Sequence, residues 1–440
     1  MVCCNGKRSN IRDKCYLPIR MGKIWLMAMI CLGMVSASGQ ATGKAHAGPA
    51  YAFVNGNWFD GTSFVKRVFY SEDGVLESAR PGRIDSVIDL GGKYVVPPFG
   101  EAHNHNVEWY GEERFVRLRD KYLKDGIYYV KNPANVPRFV APLKDKVNIP
   151  TSIDVVFSNG GITAPGGHPV EMARRNIERK IWVDADAEGG FYYAIEKPAD
   201  FDKMWPVLKE TNPDFIKTFL LYSEEYDKRA RDTAYFGWKG LDPLLLKIIV
   251  EKIHRDGYRV STHVETSIDF HNALVAGVDE INHMPGFRAN AGYGFEKYKI
   301  TEADAQAAAK TKTVVVTTMG TAINSVLGKT DSVSAGYMEM IVYNFNVLKK
   351  YGVTLAIGTD YYSQNSRYEI ENVSKLNLFS NLDLLKMWCE TTALTIFPHR
   401  KIGYLKDGYE ANFLVLDGNP LEDLNNTARI AMRVKSGVLL

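Results

Sequence analysis

The chain has little cysteine and no apolar run long enough to span a bilayer, and these two shortages bound its class before any motif is read. Five cysteines occur in 440 residues, and four of them, Cys3, Cys4, Cys15 and Cys31, lie near the N-terminus. Only Cys389 remains in the body of the chain, which excludes an intrachain disulfide framework there. The N-terminal apolar stretch Ile24 to Val35 (IWLMAMICLGMV) falls short of the roughly 20 residues a spanning helix needs. Neither sign of charge dominates, since 54 Lys and Arg oppose 51 Asp and Glu; the balance of +3 is too small to argue for a nucleic-acid partner. No internal repeat, low-complexity tract or charge block is present. With 45% hydrophobic and 24% charged residues, the composition is that of an ordinary globular protein.

What the first 47 residues do contain is a leader pattern. Arg20-Met21-Gly22-Lys23 gives a positive start, the apolar stretch follows, and SASGQATGKAHAG supplies small residues for cleavage. Met21 is a plausible true start. Cleavage after Ala41 or after Ala47 would leave a mature chain with one cysteine and no stable membrane insertion, an uncleaved anchor being the other reading. An exported protein of this size without disulfides suggests a bacterial periplasmic or secreted location.

The informative residues are His103-Asn104-His105, which end the apolar run in VVPPFGEAHNHN. On a strand, residues i and i+2 face the same way, so both imidazoles can reach one cation. Further candidate ligands each close their own strand-like run: Lys217 in DFIKTFL, His263 in YRVSTHVE, His283 in DEINHMP and Asp360 in VTLAIGTDYY. Ligands so placed fit the C-terminal rim of a (β/α)8 TIM barrel in an α/β protein. Length agrees, because such a barrel takes about 250 residues and leaves enough for a smaller second domain. The remaining histidines, His46, His254, His271 and His399, fall in the leader, on predicted helices or beyond the barrel, and are read as structural or solvated.

Residues 48–97 are short and strand-rich, with turn signals at Asn55-Gly56, Asp60-Gly61, Asp73-Gly74 and Gly91-Gly92. Residues 401–440 repeat that character. The two pieces predict one composite β-sandwich beside a barrel over 98–400. Within the barrel, Asp242 to Gly257 (DPLLLKIIVEKIHRDG) opens on Asp-Pro, keeps helical apolar spacing and stops at glycine before the next strand.

With these residues in place, the chain resembles the metal-dependent amidohydrolase superfamily of the binuclear type with a strand 4 lysine, and prolidase and imidazolonepropionase relatives in particular. The likeness extends to NGNWFDGT and VIDLGGKYVVPPFGEAHNH before the barrel and KIGYLKDGYEANFLVLDGNPLEDL after it. Glu101 stands where relatives usually have Asp, and Asn412 replaces another usual Asp. The resemblance implies two divalent metal ions, zinc by default, held by His103, His105, Lys217, His263, His283 and Asp360, with His103, His105 and Asp360 on the buried ion and His263 and His283 on the outer one. It further implies N6-carboxylysine at Lys217, and Asp360 as general acid and base while a metal-activated water attacks an amide carbon. His168 in the Gly-Gly-His of ITAPGGHPVEM, Tyr222 after strand 4 and Arg288 after strand 6 are candidate substrate contacts.

The function so implied is hydrolysis of a C–N amide bond in a dipeptide, N-acyl amino acid or cyclic amide, a small or peptide-like substrate; a homo-oligomer is compatible with it. Ligands and fold set water activation rather than substrate, so hydrolysis of a lactone, a phosphoester or an amidine (deamination) stays open, as does an inactive binding protein.

Overall fold

The computed structural model describes residues 48–440. The leader read over residues 1–47 lies outside them. Among the described residues no helix is long and apolar enough to cross a membrane.

The chain opens with β1 (Tyr51–Phe59), β2 (Phe64–Glu72), β3 (Val75–Glu77), β4 (Ser86–Asp89) and β5 (Tyr94–Val96). Asp60-Gly61 and Asp73-Gly74 turn the chain into antiparallel hairpins, as their αL-tolerant residues predict. Asn55-Gly56 does not. β1 runs straight through it, with Asn55 at φ 55° and the register to β2 shifting between Phe53 and Gly56. The Asn-Gly pair therefore belongs to a β-bulge inside a strand, because the residues on both sides find partners in β2 while Val54 and Asn55 together oppose the single residue Val68.

Six further strands carry the alternating middle of the chain to its first half: β6 (Phe99–Glu101), β7 (Ile127–Asn132), β8 (Asp154–Phe157), β9 (Gly161–Thr163), β10 (Tyr192–Ala194) and β11 (Ile216–Phe219). β12 (Val260–His263), β13 (Glu280–Asn282), β14 (Val314–Val316) and β15 (Leu355–Ala356) complete it. They pair in parallel as two sheets, β6-β7-β8 and β10-β9-β11-β12-β13-β14-β15. Helices separate successive strands, as parallel pairing requires, except between β8 and β9, which follow each other directly and belong to different sheets. The helix expected over Asp242 to Gly257 spans Pro243–Arg255, and Asp242 caps it by accepting from the Leu244 amide at 2.8 Å.

Backbone bonds also tie the first of these strands to the last. Ala102 N–H donates to the Ile357 carbonyl at 2.8 Å, and the Thr359 and Asp360 amides both donate to the His103 carbonyl, at 3.1 and 2.9 Å. Gly358 permits this approach, since a Cβ there would stand 2.7 Å from the His103 nitrogen and 2.6 Å from Val316. Glu101 adds a clamp by accepting from the Thr359 amide at 2.9 Å and the His103 amide at 3.3 Å.

β16 (Phe413–Leu416), β17 (Ile430–Lys435) and β18 (Val438–Leu439) return to the opening strands. β16 pairs antiparallel with β5, so both ends of the described chain contribute to one branched eight-stranded sheet. Strand alternation divides its side chains. Trp58, Val95, Phe413 and Val415 enclose a separate apolar cluster, while Phe59, Val96, Leu414 and Leu416 join the main core. That core also contains Phe99 stacked on Trp388 at 3.8 Å.

Candidate metal and substrate site

Five of the six proposed ligands sit at or just beyond the C-terminal ends of parallel strands, and the sixth, Lys217, lies inside one. Lys217 lies within β11 and His263 closes β12, whereas His283 follows β13 directly. His103, His105, Lys217, His263, His283 and Asp360 line one cavity of about 40 Å³ together with His168 and Arg288. Tyr222 is not among its walls. Its backbone turns left-handed at φ 50°, its amide donates to Asp269 at 2.9 Å, and its ring packs under the Arg229 guanidinium at 3.9 Å. A residue of the loop that follows β11 is thus consumed in anchoring that loop, instead of facing the cavity.

The imidazoles form a continuous series. Ring centres are 5.1 Å apart for His105 and His103, 4.7 Å for His103 and His283, 4.5 Å for His283 and His263, and 5.1 Å for His263 and His168. Burial, followed by the nearby Lys217 charge and neighbouring imidazoles, holds His103 well below the usual imidazole range. Burial and the positive groups around them do the same for His263 and His283. Neutral imidazole is the form that offers a lone pair. His103 Nδ1 is buried without a hydrogen-bond partner.

His103, His283 and Asp360 bring one ligand atom each within 4.8 Å of one another. This differs from the division expected from sequence, which joined His105 to His103 and Asp360. The left-handed backbone of His283, φ 74°, and the Thr318 hydroxyl 2.8 Å from its Nδ1 set its ring beside His103. His105 remains close, with Nε2 3.4 Å from Asp360 Oδ1. Ala134, Tyr222, His283, Thr318 and Asp360 all have φ between 45° and 74° and all follow strand ends, so backbone strain of about 1–3 kcal/mol per residue gathers on this rim.

Asp360 is at once buried and surrounded by positive groups. Burial pushes its carboxyl up, but the His105 hydrogen bond and the charges of His105, Arg288 and Lys217 outweigh that and keep it below the usual carboxylate range. Arg288 Nη2 stands 3.4 Å from Asp360 Oδ2. Burial brings the Lys217 amine down to about 7, and its Nζ donates to Asn282 Oδ1 at 2.5 Å. Asn282 accepts from Ser261 as well and donates to Glu280, whose other oxygen pairs with Lys131 at 2.8 Å.

Two contributors escaped the reading of the sequence. Glu265 Oε1 lies 3.2 Å from His263 Nε2, and burial raises its carboxyl to about 8. The signal was its i+2 spacing from His263. Thr318 had no such signal. His168 reaches the cavity and pairs with Glu171 at 2.9 Å, while His254 and His271 pair with Asp279 and Asp304 away from it.

No family model matches the chain. Ochratoxinase of Aspergillus niger is 24% identical over 185 residues, which are 41% of this chain and 37% of that protein. The chain thus matches little more than a third of the length of this relative. Its crystal structure superposes with a TM-score of 0.69 at 18% identity, covering 89% of this chain and 95% of that one. A Xaa-Pro dipeptidase with bound methionine in its active site gives 0.67 at 18% identity, with coverage of 89% and 99%. Molinate hydrolase gives 0.68 at 17%, with coverage of 89% and 95%. At these identities the solved structures show a shared fold, which the chain has in common with enzymes that hydrolyse amide C–N bonds.

Proposed function

We propose that the two parallel sheets are the wall of a (β/α)8 barrel and that the chain is a metal-dependent hydrolase of a C–N amide bond, exported by the leader at residues 1–47. The observation that carries this reading is the convergence of His103, His105, Lys217, His263, His283 and Asp360 on one cavity at the strand ends. The donor set fits divalent metal: neutral buried imidazoles, an ionised carboxylate, and an orphaned imidazole nitrogen among them. Zinc is the default for such ligands, and the same six residues would hold two ions. When bound, the ions supply Lewis-acid polarisation of the amide carbonyl and make water more acidic.

The chain's own groups account for proton movement and orientation. Asp360, ionised at neutral pH, accepts the proton of the attacking water and delivers it to the amide nitrogen as the C–N bond breaks, leaving a carboxylic acid and an amine. Arg288, beside Asp360, and His168, beside His263, stand where they can orient a substrate carbonyl or carboxylate. The buried Lys217 amine is uncharged in a large fraction of molecules near neutrality, and only that form reacts with carbon dioxide to give N6-carboxylysine, an anionic oxygen ligand. The names of the relatives, a dipeptidase among them, favour small peptide-like amides over lactones or phosphoesters.

Purified mature protein, isolated without chelator, tests the proposal by elemental analysis and by a panel of dipeptides, N-acyl amino acids, lactones and phosphoesters. About two ions per chain and turnover confined to amides are expected. Hydrolysis of lactones or phosphoesters alone, or one ion or fewer after supplementation with metal and bicarbonate, would refute the corresponding part.

A further inference from the structure

The 40 Å³ cavity at the histidines has little room for a substrate, and the room lies beside it. A larger cavity of about 640 Å³ shares His105, Ala134, Met172, Phe191 and Tyr362 with it. Arg114, Arg175 and Arg179 line this larger space against a single carboxylate, Glu108. Arg175 and Arg179 are four positions apart at the end of the helix Val170–Glu178, so they share one face.

Acids that would neutralise these arginines are engaged elsewhere. Glu171 faces His168 at 2.9 Å and Glu178 faces Arg174 at 3.5 Å. Asp186 is held by Arg138, Glu113 by Arg117, and Glu112 by Lys146. Glu108 accepts the Tyr110 hydroxyl at 2.7 Å, and Arg114 lies 4.5 Å over that tyrosine's ring. Among the described residues, neither Arg175 nor Arg179 forms an ion pair. Three guanidinium groups with one acid among them form a positive wall that opens on the ligand cluster, and guanidinium matches carboxylate with two parallel hydrogen bonds.

We infer that this cavity receives a carboxylate carried by the acyl side of the substrate, so that the enzyme acts on amides of acidic acyl or peptidyl groups. The inference rests on the hydrolase reading above and names its substrate class. Trp182 and Phe191, 4.7 Å apart at the same wall, supply apolar surface for the chain between the carboxylate and the scissile bond.

The test uses matched pairs of amides, N-glutaryl and neutral N-glutaramoyl derivatives of the same amino acids, with the metal-loaded full-length mature protein. Wild type is expected to prefer the charged member by about tenfold or more in kcat/KM, and Arg175→Gln/Arg179→Gln to reduce that preference to within about twofold. Binding of the same pairs to metal-loaded Asp360→Asn is measured in parallel. Equal turnover of both members, or a preference that survives in the double variant, overturns this inference and leaves the hydrolase reading intact. Charge-selective binding with no turnover of either member by wild type overturns the hydrolase reading and leaves the carboxylate site. Absence of both turnover and selective binding overturns the two together.

Discussion

Replacing Asp360 with Asn separates the proposed proton carrier from the scaffold around it. The change removes a charge and keeps nearly the same shape. Asp360 has φ 45°, in the left-handed region that Asn tolerates well among non-glycine residues, and the hydrogen bond its backbone N–H donates to the His103 carbonyl does not involve the side chain. The lost ion pair to Arg288 spans 3.4 Å to a side chain that is 54% exposed, so solvent screening limits its worth to less than about 1 kcal/mol. With about 2.1 cal/mol/K of unfolding entropy per residue, on a chain this size that is a Tm change of no more than about 1–2 °C. Turnover should respond on another scale. Loss of a positioned acid and base costs about 10²- to 10⁴-fold. This corresponds to roughly 3–5 kcal/mol of barrier at 1.36 kcal/mol per decade. The assay is kcat on the best amide of the panel, with metal content and Tm measured on the same preparation. Near-normal turnover at full metal content would show that the proton moves through another group, with His168 the next candidate, and would refute the mechanism while leaving the fold untouched.

Lys217→Ala should lose one or both metals, with activity partly restored by short carboxylic acids; unchanged metal content would assign the lysine a structural role. Glu390, in the helical segment that carries Trp388, has one carboxylate oxygen buried without a partner and the other 3.8 Å from Lys386. Burial raises its carboxyl from 4.5 to about 7, so the protonated form favours the fold and its stabilisation, full below pH 4.5, is lost as pH rises through 7. Glu390→Gln, which mimics the neutral form, should therefore raise Tm relative to wild type at about pH 8 and leave it nearly unchanged near pH 4.5; the same shift at both would contradict the assignment.

That these six residues come together was legible because strand geometry writes their positions locally. An i,i+2 pair of histidines, and single donors at the ends of apolar runs, need only the two-residue period and the strand-to-loop change to be seen, and the cavity contains all six. Asp242 as a helix cap and Asp60-Gly61 as a turn are local in the same sense. Asn55-Gly56 was misread because a turn and a bulge need the same left-handed residue, and only the partner strand distinguishes them. Tyr222 was misplaced because its direction is set by Asp269, 47 positions away.

Thr318 was not readable at all, since its meaning depends on His283, 35 positions earlier on the neighbouring strand. Its hydroxyl lies 2.8 Å from His283 Nδ1 and so fixes the ring that approaches His103. Thr318→Val removes that oxygen at nearly constant volume and keeps the β-branch, so the strained backbone at φ 48° gains no new penalty. The buried Nδ1 of His283 then has no partner and its ring is free to turn away, for which loss of metal affinity by about 10- to 100-fold is expected, with Thr318→Ser restoring it. Metal titration against a competing chelator reads this directly. If Thr318→Val binds metal as tightly as wild type, the hydroxyl does not orient the ligand, and the position of His283 must come from its stacking on Phe287, 3.9 Å away, and from the backbone alone.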